Sequence, residues 1–218
     1  MVSRPLHIAI VTCNAKKMNI TSILYKLKFE QTITDSEREF IKSKIFNYKS
    51  DDELNQAIRA FGFAYPPSEE NVKIVEKFLQ YKATELGFDD IIRASALNVL
   101  CKQWWWGLAK EYLPLLKTYA LMNSDDYSET QIATFSILGE YIYNSKDYET
   151  LKFVYELFEK RLLQYEEGTD DNTLNGIYKC LNVAMYGPVA LVDNYHISSP
   201  KDINQNLIDQ IHKSVLQL

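Results

Sequence analysis

The chain has 218 residues, 46% of them hydrophobic and 24% charged, with a formal net charge of -5 and a pI of about 5.3. That is long enough to bury a substantial core and too apolar for wholesale disorder. Only 7 glycines and 6 prolines are present, too few for an all-β fold with many tight turns, and the acidic balance argues against a protein that lives on DNA or RNA, where a basic stripe neutralises phosphate.

Cys13, Cys101 and Cys180 stand far apart, form no C-x-x-C, and share no ligand spacing with His7, His196 or His212. They read as reduced core cysteines of a cytosolic protein. The apolar run Leu6 to Thr12 lacks the length and small-residue cleavage site of a signal peptide, and no stretch approaches the roughly 18 apolar residues of a membrane span. The expected location is the cytoplasm, with no membrane partner.

In chain order, residues 5–13 are ambiguous. Leu6, Ile8, Ile10 and Thr12 alternate like a strand, whereas Ser3 and Pro5 look like a helix start; helix is favoured because a lone strand would have no partner. Asn19 to Glu30 and Asp35 to Phe46 read as amphipathic helices, the second opened by Thr34 or Asp35 with Glu37 close behind. From there acidic doublets recur ahead of apolar-periodic helices: Asp51-Asp52, Asp89-Asp90, Asp125-Asp126 and Asp170-Asp171, spaced by 38, 36 and 45 residues, near the two-helix period of HEAT and armadillo arrays. In the run after each doublet, small and large apolar residues alternate, which lets neighbouring helices approach closely. A second, amphipathic helix follows each one: around Val72 to Leu79, around Tyr112 to Leu116, Leu151 through Leu163, and Ile203 through Leu216. In the third, Leu151, Val154, Tyr155, Phe158 and Leu162 share one helical face. Pro66-Pro67-Ser68-Glu69-Glu70 and Ser199-Pro200 read as helix starts. The loosest stretch is expected from Gly187 to Ser199.

These patterns predict one all-α domain over residues 1–218, with capping helices in 1–50 and about four helix pairs starting near 51, 89, 126 and 170. From residue 51 onward the chain resembles the HEAT-like repeat superfamily of α-solenoids. Glu111-Tyr112-Leu113-Pro114-Leu115-Leu116 carries the resemblance best, since a Leu-Pro-x-Leu segment opening the second helix of a pair is typical there. The resemblance implies a short right-handed α-solenoid of antiparallel helix hairpins. In size, acidity, tyrosine content and lack of a catalytic constellation, the chain is also similar to the small acidic HEAT-like proteins that serve as immunity partners of bacterial toxins.

The candidate binding residues fall into three groups. Trp104, Trp105 and Trp106 point about 100° apart on a helix, so one core face can hardly take all three; at least one is expected at the surface as a hot-spot anchor, and the alternative is that they close the core end. Tyr112, Tyr119, Tyr148 and Tyr155, among 15 tyrosines, lie on second helices, which usually line the concave surface of a solenoid. They suit a protein-binding surface, with interhelix packing as the plainer alternative. Asp89, Asp90, Asp125 and Asp126, with Asp51, Asp52, Asp170, Asp171, Glu166 and Glu167, first explain themselves as caps and dipole partners. Lined up along one edge, they would also make a negative ridge able to steer a basic partner.

His196, near Asp193 and Tyr195, lacks a nucleophile or metal companion. The chain contains no G-x-S-x-G, H-E-x-x-H, Walker A or G-x-G-x-x-G, so no catalytic residue, metal or cofactor is expected. The favoured function is protein binding by a HEAT-like adaptor or inhibitor, most specifically an immunity protein that neutralises a bacterial toxin, with a basic toxin domain as partner and no nucleic acid. The alternatives are a HEAT-like scaffold of another pathway and a nucleic-acid-binding HEAT-like enzyme such as a DNA glycosylase.

Overall fold

Side-chain caps and apolar stripes set the helices one by one. The computed structural model describes residues 18–83, 87–104, 109–122, 128–165, 171–188 and 202–215. Within these there are ten α-helices and no strand. The ambiguous segment 5–13 and the Ser199-Pro200 start lie outside the described residues.

Helix α1 (Ile20–Lys28) is capped by the Asn19 side chain, and α2 (Asp35–Phe46) by a full capping box in which Thr34 and Glu37 each satisfy the other's backbone N–H. Helix α3 (Asp51–Ala64) starts at the Ser50 cap with Asp51, Asp52 and Glu53 in its first turn, where carboxylates complement the helix dipole. Helix α4 (Glu69–Glu76) starts at Ser68 and runs into a 3-10 turn, Lys77–Gln80. Helix α5 (Phe88–Asn98) continues into a π-helical turn, Val99–Gln103. The remaining helices are α6 (Ala109–Ala120), α7 (Glu129–Ser145), α8 (Tyr148–Leu162), α9 (Asn172–Tyr186) and α10 (Gln205–Val215). Lys146, in the left-handed region at φ 56°, ends α7, and Asp147 immediately caps α8.

Two sequence expectations shift. Pro114 lies inside α6 rather than at its opening, because the helix already runs from Ala109. The last helix begins at Gln205, after Ile203, with Asn204 accepting the N–H groups of Asn206 and Leu207.

Buried residues recur at helical spacing, as in Leu54, Ala57, Ile58 and Phe61 on α3, or Leu151, Val154, Tyr155 and Phe158 on α8. From Ile20 to Ile211 they join one apolar cluster. The odd-numbered helices pack in succession: α1 on α3, α3 on α5, α5 on α7, and α7 on α9.

Cross-helix pairs give the direction of this row. Asn55 meets Ser95, and seven residues on Gly62 meets Val99 and Gln103, so α3 and α5 run parallel. Asp90 meets Thr130 and Lys102 meets Ser136, so α5 and α7 do as well. Gly139 meets Cys180 and Val183, while Tyr143 meets Gly187, which extends the relation from α7 to α9. The close approaches fall on glycines. A Cβ on Gly139 would lie 2.9 Å from the Cys180 carbonyl oxygen.

Candidate functional site

The helices of the row keep one stripe each for solvent. On α3 the stripe is Asn55, Gln56, Arg59 and Phe63; on α5 it is Ile91, Asn98 and Lys102; on α7 it is Glu129, Ile132, Ser136, Glu140 and Tyr143. Steps of three, four or seven residues, with Gln56 beside Asn55, put each set along one side of its helix. Where the α3 and α5 stripes adjoin, they border an open groove of about 490 Å³ whose wall also takes in Ser95, Gln103 and Glu129.

Hydrogen bonds lace the helices together beneath and beside this groove. The Ser95 hydroxyl donates to Asn55 Oδ1 at 2.6 Å, holding the carboxamide in place. The Lys102 ammonium reaches across to α7, donating to Ser136 Oγ at 3.0 Å and pairing with Glu140 at 2.6 Å. Gln103 comes off the π-helical turn with its side-chain oxygen buried against Gly62, and that oxygen finds no hydrogen-bond partner among the described residues. Arg59 likewise makes no ion pair there, although Arg38, Arg93 and Arg161 are all engaged by acceptors on the protein.

The aromatic residues singled out in the sequence are tied into the packing where they are described. Trp104 is partly buried; its indole N–H donates to the carbonyls of Gly62 at 3.0 Å and Tyr65 at 2.9 Å, and its ring lies 6.2 Å from that of Phe61. Tyr112 is buried, and its hydroxyl donates to Glu76 at 2.8 Å; burial and then that carboxylate push the phenol's pKa above its ordinary value. Tyr119 donates to the Leu79 carbonyl and carries the Arg93 guanidinium over its ring. Tyr148 is half-buried against the core cluster. Tyr155 is buried and shares a 2.8 Å hydrogen bond with His212 Nε2, joining α8 to α10. Trp105 and Trp106 lie outside the described residues.

The acids divide in the same way. Asp51 is fully buried and accepts the Tyr81 hydroxyl at 2.7 Å. Asp90 accepts the Thr130 N–H on the next helix of the row, and Asp171 caps α9 while pairing with Arg161 at 2.6 Å. Asp89, facing Arg93 at 3.9 Å, and Asp52 keep solvent exposure. Asp125, Asp126, Asp170, Glu166, Glu167 and His196 fall outside the described residues.

Sequence reading passed over Arg59, Asn55 and Asn98. Their signal was present: polar residues at three- and four-residue steps through helices otherwise rich in small apolar side chains.

Among the described residues, no group of three or more His, Cys, Asp or Glu is gathered as a metal site would require, and no helix is long and apolar enough to cross a membrane. Cys101 and Cys180 are buried free thiols; burial pushes the Cys101 pKa up to about 12 and that of Cys180 up as well, leaving both protonated and unreactive near neutrality. No model of a known protein family, no curated protein and no solved structure matches the chain.

Proposed function

We propose that this chain is a protein-binding module, built as a short HEAT-like α-solenoid of helix hairpins, that engages its partner through the exposed face of α3, α5 and α7. The parallel row, with α4, α6 and α8 between its members in the chain, supports the solenoid reading. One observation carries the binding reading: Phe63 and Ile132, on the solvent stripes of α3 and α7 that reach the polar groove at Asn55, Arg59 and Glu129, stay 45% and 41% exposed. Exposed apolar side chains next to hydrogen-bonding groups match the mixed composition of a non-obligate protein interface. Its sharpest form is an immunity protein that neutralises a bacterial toxin. The net charge of -5, with Asp52 and Asp89 open at the N-terminal ends of two adjacent row helices, favours a basic partner on electrostatic grounds.

The test is comparative capture from the native host's lysate. Wild-type protein, a face variant carrying Phe63→Asp and Ile132→Asp, and a control carrying Leu163→Asp at a highly exposed position on another element are used side by side. The reading expects one protein held by wild type and control and lost by the face variant, with all three melting alike. A captured protein held equally by the face variant, or no protein held specifically by the wild type, overturns it.

A further inference from the structure

We infer that the groove between α3 and α5 receives an extended peptide segment of the partner and seats one of its carboxylates on Arg59. This deepens the protein-binding reading and rests on it.

The case begins with the arginines. Arg38 donates to the Ala64 carbonyl, Arg93 pairs with Asp89 and Asp90 and donates to Leu79, and Arg161 pairs with Asp171. Arg59 alone of these four has no acceptor among the described residues, yet it is partly sunk into the groove wall. A guanidinium is planar, permanently charged and matched to a carboxylate by two parallel hydrogen bonds. The neighbouring cation does not compete for that ligand, because Lys102 is already neutralised by Glu140 at 2.6 Å.

The rest of the lining suits a peptide main chain. The Ser95 bond occupies Asn55 Oδ1 and leaves its N–H groups open, and Asn98 offers a donor and an acceptor with no partner among the described residues. The small residues Ala94 and Ser95 share the lining with them, which lets a backbone come close there. Sites for small metabolites are enclosed and mostly apolar; this one is an open polar trough of about 490 Å³. Glu129, with no ion pair among the described residues, adds a negative group at the α7 side and gives the trough a polarity along which an acidic and a basic residue of one segment can align. The π-helical turn at Val99–Gln103 lends Lys102 and Gln103 to the same groove, and such turns are frequent at functional sites.

The probes are a blocked, alanine-based peptide with a central glutamate, the same peptide with glutamine in its place, and free glutamate, each titrated into the full-length ¹⁵N-labelled protein. The expected result is that the glutamate peptide shifts the Arg59 side-chain N–H and the carboxamides of Asn55 and Asn98, binding about tenfold more tightly than the glutamine peptide, as a charge-assisted hydrogen bond exceeds a neutral one. Arg59→Gln should remove that preference without changing the melting temperature, while Lys110→Gln on α6 should leave it intact. The inference is overturned if the two peptides bind alike, if Arg59→Gln keeps the preference, if neither peptide perturbs the groove, or if free glutamate binds as well as the peptide, which would assign the trough to small carboxylates. The wider reading is judged separately: a captured partner lost by the Phe63 and Ile132 variant but kept by Arg59→Gln defeats the groove assignment alone.

Discussion

Asp90 and Thr130 join the first turns of two different helices. The Asp90 carboxylate on α5 accepts the Thr130 backbone N–H on α7 at 3.3 Å to each oxygen, and the Thr130 hydroxyl donates back to the Asp90 carbonyl at 3.3 Å. Thr130 is fully buried, so its N–H has little access to water as a substitute. Within α7, the Ser128 cap takes a different donor, the N–H of Gln131. An acid in the first turn of its own helix thus serves as a cap for the next helix of the row.

Asp90→Ala should therefore lower stability by about 1–2 kcal/mol, the usual cost of removing a cap. Asp89→Ala should change it by no more than about 0.5 kcal/mol, because its carboxylate is half-exposed and faces Arg93 only at 3.9 Å. Thermal melts of the two variants check the difference. Equal losses would mean that dipole complementation, and not the bond to Thr130, is the main role of the doublet.

A glycine sets the spacing of α7 and α9. In an isolated helix Gly139→Ala would add stability of about 1 kcal/mol through propensity. Here the new methyl would meet the Cys180 carbonyl oxygen at 2.9 Å and Val183 Cβ at 3.0 Å. The carbonyl is backbone and cannot swing aside, so overpacking of about 1–3 kcal/mol should outweigh the propensity gain. Chemical denaturation should show a net loss, and a net gain would show that the two helices separate freely.

Two carboxylates in the N-terminal helices contribute to the acid limb of stability. The Lys26 ammonium, at 2.6 Å, and the Thr34 N–H hold Glu37 below its ordinary pKa of 4.5. Burial pushes Glu53 upward, but the Lys44 ammonium at 2.8 Å and the Lys49 N–H outweigh it and leave that carboxyl lowered too. In both cases the unfolded chain binds more protons than the folded one just below 4.5. Their contribution is accordingly present above that pH and lost as the pH falls through the lowered values. A variant carrying Glu37→Gln and Glu53→Gln should melt lower at neutral pH and show a flatter decline in acid, and added salt should narrow the gap. Parallel acid limbs for variant and wild type would count against this.

The parts of the fold legible in advance are those decided locally. The Thr34 and Glu37 capping box and the α8 face of Leu151, Val154, Tyr155 and Phe158 depend on residues within two turns of one another. The π-helical turn was not legible, because it accompanies the packing of Val99 and Gln103 on Gly62, a residue of another helix. The acids were readable as helix-start residues, yet nothing near Asp51 in sequence announces that Tyr81 will bury its hydroxyl against it. The same holds for the groove. Arg59 stands out only once the acceptors of the other arginines are known, and those come from tertiary contacts.

Trp104 separates packing from binding within the tryptophan cluster. Its indole N–H bridges two carbonyls at the C-terminal end of α3, where helix carbonyls otherwise lack donors. Trp104→Phe keeps an aromatic ring near Phe61 but removes that donor, so it should cost about 1–3 kcal/mol of stability. Trp104→Ala should cost more, about 3–5 kcal/mol, as a large ring is lost from the edge of the core. Neither change should alter partner dissociation beyond what destabilisation explains. If Trp105 or Trp106 is the anchor, alanine there should instead leave the melting temperature nearly unchanged and speed dissociation by an amount corresponding to about 2 kcal/mol or more. Melts and dissociation rates measured on all four variants distinguish the two roles. Trp104→Phe that melts like wild type would remove the structural assignment. Alanine at both Trp105 and Trp106 with unchanged dissociation would remove the anchor, and leave the face of Arg59, Phe63 and Ile132 to hold the partner.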